Sequence, residues 1–381
     1  MAHIDARGNF TSGHDLFNVI NGTINVHSAP NCKRSSVGIL TELITICYQV
    51  PESKPPPTPG LTHEFERVSR LNVDGYTPDV AIFSPDGTHI ISCSDKPAIA
   101  IWNTDTDALV FGPLKLTPEN GGPHDVEFVA LSRNGERMCS GPRSRYGGGG
   151  GDNIMRVWDV TTGREILTPT PLDGGADRVT HAALSHDGTK LVTASYHRIR
   201  VWDIQTATST IGSGAHGGSI FPISLSHDGK RFASAGQYDK RINIWDIDKV
   251  TVAYGPHTDH ASNGDVKSFA FSPDGKKIVM GFDNGKILLI DAKDGDIINQ
   301  PEKFSGHTGW ITSLAFAPDG KWIVSGSLDG SVRVWETDTG LPTCKPLKGH
   351  MNGIRSISVS SDGRKIVSNS GQVVLVWVLQ Q

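Results

Sequence analysis

His307, a Ser at 325 or 327 and Asp329 are the three residue types of nucleophilic hydrolysis. The hydroxyl would attack, the imidazole would take its proton and the carboxylate would orient the imidazole. Asp79, Asp125, Glu127 and Asp265 are carboxylates of the kind that hydrolysis would need around one cleft. Trp310, Phe221, Arg178, Lys267 and Arg355 are instead the aromatic and basic types that anchor a protein partner. The first set is not unique. His216 and Asp239 repeat it near Trp245, and His350 precedes Trp377 as His307 precedes Trp335. A catalytic centre would not recur in this way, whereas a structural fitting would.

The elements that position these residues repeat as well. A Ser-Pro-Asp-Gly-like turn ends at Gly87, Gly135, Gly188, Gly229, Gly275, Gly320 and Gly363, at intervals of 48, 53, 41, 46, 45 and 43 residues. After each turn come an apolar run, a short turn and a closing run around Trp102, Trp158, Trp202, Trp245, Ile290, Trp335 or Trp377. Six of the eight Trp residues hold this one position, so the aromatic content is mainly architectural. In the sixth unit the strand-like runs are Ile311–Phe316, Trp322–Ser327, Ser331–Glu336 and, beyond Thr339-Gly340, about 346–347.

These turns and closings, with Gly306-His307 and Gly349-His350, resemble the WD-repeat family of β-propellers over about residues 62–381. The resemblance implies an all-β, seven-bladed propeller of four-stranded antiparallel blades behind a short N-terminal extension. A lone four-stranded unit cannot bury both its faces; radial stacking buries them. The last unit stops soon after Trp377, so the run Phe65–Asn72 is expected to supply its fourth strand.

The resemblance also implies a structural hydrogen-bond relay, built from His307, Asp329 and Trp335 in the sixth unit and His216, Asp239 and Trp245 in the fourth. The fifth unit has His257 or His260 with Asp283, but Ile290 in place of Trp. The third has no such His and no Asp at Tyr196-His197, and the seventh has no Asp after Ser370. The Asp-Gly carboxylates are read as turn residues, and no metal or cofactor is expected. His186 and His227, beside Asp187 and Asp228, are read as solvated. Sharing a metal would need a convergence that repeats on opposite blades do not give.

In the WD-repeat family, partners commonly dock on the face carrying the loops before each innermost strand. Counting back from each Asp-Gly turn gives Thr77/Asp79, Asp125/Glu127, Arg178/Thr180, Ser219/Phe221, Asp265/Lys267, Trp310/Thr312 and Gly353/Arg355. Aromatic anchors and Arg among mixed charges suit a protein or peptide. The expected function is a non-enzymatic interaction scaffold, a monomeric propeller within a larger complex. The alternatives are a hydrolase using Asp79, Asp125, Glu127 and Asp265, and a carbohydrate or small-ligand binder. The latter would need aromatic pockets that recur in each blade, and Trp310 does not recur.

Composition narrows the classes further. Lys+Arg (36) nearly balances Asp+Glu (40) for a net charge of −4, poor material for a nucleic-acid binder. The odd count of five widely spaced Cys, with no CxxC, argues against a disulfide framework or zinc site and for a reducing cytoplasmic or nuclear setting. The first residues lack an apolar signal core, and 37–50 is too short to span a bilayer. The sequons at Asn9 and Asn21 are then chance matches.

Residues 1–60 differ in composition from the rest. They offer a β-hairpin over 16–27 around Asn21-Gly22, an apolar segment at 36–50 and a Pro-rich linker at 51–60. This leader is similar to the short Asn/Gly-rich leaders of fungal multidomain signalling proteins with WD repeats. Pro142–Tyr146 and the five Gly at 147–151 form an insertion that lacks Gly-Lys-Ser/Thr and is read as a surface loop.

Overall fold

Seven antiparallel sheets follow one another along a computed structural model of the chain. It describes 3–4, 10–12, 15–20, 23–26 and 64–380, apart from 72–77, 95–97, 116–127, 133, 142–154, 160–164, 168–178, 180, 196–197, 213–215, 218–219, 237–240, 258–263, 299–302 and 372. The apolar segment, the Pro-rich linker, the five-Gly loop, Asp125, Glu127, Arg178, Asp239 and His260 lie outside the described residues.

The sixth blade shows how sequence becomes blade. Its strands are Ile311–Phe316, Trp322–Ser327, Ser331–Glu336 and Leu347–Lys348, paired in that order. β-Branched and aromatic residues fill these runs, and Gly and Asp turns bound them. All six residues of Trp322–Ser327 are buried, because neighbouring blades cover both faces of the sheet. Strict polar–apolar alternation is lost for that reason. The fifth blade has three described strands, and the bridge Ile290–Ile297 lies on its described outer side.

The seven turn glycines all have φ between 67° (Gly229) and 76° (Gly135), a left-handed backbone that side chains disfavour. The preceding Asp accepts a backbone N–H two residues on, as Asp274 does from Lys276 at 3.0 Å. Each blade's first strand packs against the first strand of the next blade, and Ser356–Val359 packs against Pro78–Phe83. The first strands therefore form a closed inner ring. The apolar core lies between blades. One buried cluster joins Ile278, Phe282 and Leu288 of the fifth blade to Ile242 and Ile244 of the fourth. Another joins Trp322 and Val334 of the sixth to Ile366 and Trp377 of the seventh.

The outer strand of the seventh blade comes from the other end of the chain. Phe65–Leu71 pairs antiparallel with Val374–Leu379, from Leu379↔Phe65 to Val374↔Leu71. A separate four-stranded sheet contains Asp15–Ile20 and Thr23–Val26, with Ile20 paired to Thr23. Among the described residues, no helix is long and apolar enough to cross a membrane.

At several turns the residue two past the glycine ties its blade to a neighbour. Lys277 reaches Asp338 of the sixth blade at 2.8 Å, and Lys365 reaches Asp105 of the first at 2.6 Å. The Arg231 guanidinium donates to the Gly275 and Ala292 carbonyls of the fifth blade at 2.6 and 2.9 Å. Lys190 instead holds Asp203 of its own blade at 2.9 Å. In the sixth blade the position is Trp322, which is buried and meets the closing strand.

Candidate functional site

The Ser-His-Asp set of the sixth blade is assembled, but inward. His307 Nδ1 lies 2.8 Å from Asp329 Oδ2 and His307 Nε2 lies 2.7 Å from Ser325 Oγ. The Trp335 indole N–H donates to the same Ser325 oxygen at 2.8 Å. Burial lowers the pKa of His307, against the opposing pull of Asp329, and keeps the ring neutral. Burial alone would raise the Asp329 carboxyl, but hydrogen bonds from Ser331 and His307 bring it down to about 2. The connectivity is that of a nucleophilic triad. Ser325 is fully buried, however, and its oxygen holds Trp335, so no substrate carbonyl can approach it.

The indole-to-hydroxyl bond recurs. Trp102 donates to Ser92, Trp158 to Ser140, Trp202 to Thr193, Trp245 to Ser234 and Trp377 to Ser368, at 2.8–3.2 Å. Where Ile290 replaces Trp, the hydroxyl position is Met280, and both are fully buried. The polar pair has become an apolar pair, which leaves no orphaned hydroxyl in the core. His216 reaches Ser234 at 2.9 Å. In the seventh blade His350 bonds Ser370 and Ser368 at 2.9 and 2.7 Å, so Ser370 meets the imidazole Nδ1 that Asp329 meets in the sixth blade. Without a carboxylate beside it, burial lowers the His350 pKa to about 4. Asp283 of the fifth blade accepts the Asp265 backbone N–H at 3.1 Å.

The face carrying the loops before the inner strands is different in character. Trp310 precedes the first strand of the sixth blade and is 49% exposed. The Lys267 ammonium lies 4.7 Å from its ring centroid and 3.6 Å from Asp265. This cation–π contact covers part of the indole and fixes its orientation. The Trp310 carbonyl accepts the Leu328 N–H at 2.9 Å, which sets Leu328, 48% exposed, beside it. A Cβ on Gly353 would sit 2.7 Å from Leu328 Cδ2, so that glycine lets the loop before the seventh blade approach. The same loop carries Met351, 98% exposed. Three large apolar side chains thus stand open on adjoining loops of the sixth and seventh blades.

The other sequence-derived residues are more dispersed. Arg355 is exposed, and its guanidinium lies against Gly371, where an added Cβ would come 2.7 Å from Cζ. Phe221, on the fourth blade, is half-buried and packs on His181 with ring centroids 5.2 Å apart. Asp79 is the second residue of the first blade's inner strand, Pro78–Phe83. Asp265 is engaged by Lys267, and among the described residues no group of three or more His, Cys, Asp or Glu could hold a metal ion. Sequence reasoning missed Leu328 and Met351, because neither residue type carries a signal for exposure.

One expectation is overturned. His186 and His227 do converge, their ring centroids 5.2 Å apart. They stand on the third and fourth blades, which are neighbours in the ring.

The comparisons with known proteins agree with this architecture. The family model described as WD domain, G-beta repeat matches residues 71–103, 167–203, 210–246, 299–336 and 342–377. A second, the Anaphase-promoting complex subunit 4 WD40 domain, matches 241–308 and so spans the Trp-less fifth blade. Similar curated proteins include Autophagy-related protein 16 of Arabidopsis thaliana, 24% identical over 66% of this chain. Apoptotic protease-activating factor 1 of Rattus norvegicus is 27% identical over 67%. Guanine nucleotide-binding protein subunit beta of Oryza sativa subsp. japonica is 27% identical over 76%. The chain spans 41% of the first relative, 20% of the second and 76% of the third. The first and last matched repeats begin at Leu71 and Pro342 and end at Asn103 and Trp377, so each repeat begins in the outer region of the preceding blade.

Proposed function

We propose that this chain, which belongs to the WD-repeat family, is a non-enzymatic interaction scaffold. It takes a protein or peptide partner on the face formed by the loops before the inner strands. The observation that carries this reading is the open apolar group of Trp310, Leu328 and Met351, with Lys267 and Asp265 beside Trp310 and Arg355 on the loop that enters the seventh blade. A soluble surface rarely holds several exposed large side chains together unless something covers them. Trp310 is held by Lys267 before any partner arrives, which reduces the ordering cost of binding. Trp and Arg are the types that dominate interface energetics.

Burial of Ser325, the one hydroxyl in a complete Ser-His-Asp relay among the described residues, supports the non-enzymatic reading. The propeller acts as a single ring within a larger complex. Affinity capture from a cell extract, with the wild-type chain and with a Trp310→Ala/Arg355→Glu variant, tests the face. Loss of the captured partner with an unchanged melting curve is the expected result. Full capture by the variant would move the site elsewhere.

A further inference from the structure

We propose that His186 and His227 form a two-imidazole site for a late first-row divalent cation, of the zinc or nickel class, joining the third and fourth blades. The site lies on the face opposite Trp310, because these residues belong to turns that leave the inner strands rather than loops that enter them.

The geometry suits one shared cation. Imidazole nitrogens bind zinc at about 2.0–2.1 Å, and two such bonds at a tetrahedral angle set the ring centres about 5 Å apart. The His186 and His227 centroids are 5.2 Å apart, with the planes inclined at 47° rather than stacked. Each ring stands on a turn that is already fixed. Ser185 Oγ donates to Asp187 at 2.6 Å, and Asp187 accepts the Thr189 N–H at 3.0 Å. Ser226 and Lys230 hold Asp228 in the same way at 2.6 and 3.0 Å. A Cβ on Gly229 would lie 3.8 Å from Ser185 Cβ, so the two turns are in contact.

The neighbouring carboxylates favour a cation without ligating it. Lys230 and Arg231 offset part of that negative charge. Within the turns Asp187 accepts through both carboxylate oxygens and Asp228 through Oδ1, and no third His, Cys, Asp or Glu completes a metal-holding group among the described residues. Water would complete the coordination shell. Imidazole pairs select zinc, nickel or copper over magnesium or calcium, which want oxygen ligands. The bound ion would link two blades and stabilise the folded ring by mass action.

Isothermal titration of the untagged full-length chain with nickel chloride, and with magnesium chloride as control, tests the site. Saturable nickel binding is expected, with its tightest site weakened about tenfold or more in His186→Ala and equally in His227→Ala. Nickel should also raise the melting temperature of the wild type, reversibly with a chelator, and not that of His227→Gln. Both imidazoles are on turn surfaces, so the variants should melt like the wild type in chelator. Nickel affinity and nickel-induced stabilisation that persist in either single variant would overturn the proposal. So would a wild type that takes up magnesium as well as nickel, or no nickel at all.

Discussion

Phe65 meets Trp322 edge-on, with ring centroids 5.7 Å apart and planes inclined at 62°. The first belongs to the closing strand and the second to the sixth blade, at the position where Lys277 and Lys365 form ion pairs to the next blade. An apolar clasp thus replaces a polar tie where the two distant parts of the chain meet. Trp322 is 2% exposed and Phe65 9%, so the pair is screened from water. Trp322→Ala should cost about 3–5 kcal/mol through lost burial and the cavity left behind. Phe65→Ala should cost somewhat less. A double-mutant cycle by denaturant unfolding should show that the two losses are not additive.

Deletion of residues 61–73 removes the partner of Val374–Leu379 and bares a strand edge. The melting temperature should fall sharply, and light scattering should report association. An unchanged melt with a monodisperse sample would refute the view that this strand holds the ring.

Acid should weaken the ring through its buried imidazoles. His350 titrates at about 4 in the folded chain against 6.5 as its ordinary value. Between those values the unfolded chain takes up a proton that the folded ring refuses. The contribution of His350 is therefore complete above about pH 6.5 and is lost as pH falls toward 4. His307 shifts in the same direction. Melting curves from pH 7.5 to 4 should slope downward in the wild type and more shallowly in His350→Ala.

The fifth blade offers a test of paired replacement. Ile290→Trp alone should destabilise, by overpacking and by an indole N–H with no hydroxyl to meet. Met280→Ser alone should destabilise through a cavity and an unpaired hydroxyl. The double variant restores the pair seen in the other six blades and should be more stable than the sum of the singles predicts. Chemical denaturation of the four proteins supplies the comparison.

Gly326 has no Cβ to obstruct the next blade. One added there would come 2.6 Å from Ile354 Cγ2. Gly326→Ala should therefore push the sixth and seventh blades apart, at a cost of about 1–3 kcal/mol. A similar alanine at exposed Gly217 should leave the melt nearly unchanged.

The blades were legible because their fittings are local. An Asp-Gly turn needs a left-handed glycine and an acceptor two residues before the next donor, and the chain writes both seven times within a few letters, with Asn134 for Asp in the second blade. Trp310 stood apart because it lies outside the blade-closing position. Leu328 and Met351 were not legible. Leu314, of the same type as Leu328, is buried at 8%, and only the packing of neighbouring loops decides which leucine faces water. The exchange of Ser for Met280 became readable once the register placed Ile278 opposite Ile290. The nearness of His186 and His227 depends on which blades adjoin, a property of the ring and not of either turn.

The pairing of Leu71 with Val374 joins residues roughly three hundred positions apart. Most strand pairings lie within one blade and can form as soon as that blade is made. This one must wait until almost the whole propeller has left the ribosome. Until then Phe65–Leu71 has no strand to pair with, and the inner ring stays open between the seventh and first blades. The slow step of folding should therefore be a single long loop closure, and the half-made ring is the species that a chaperone would meet.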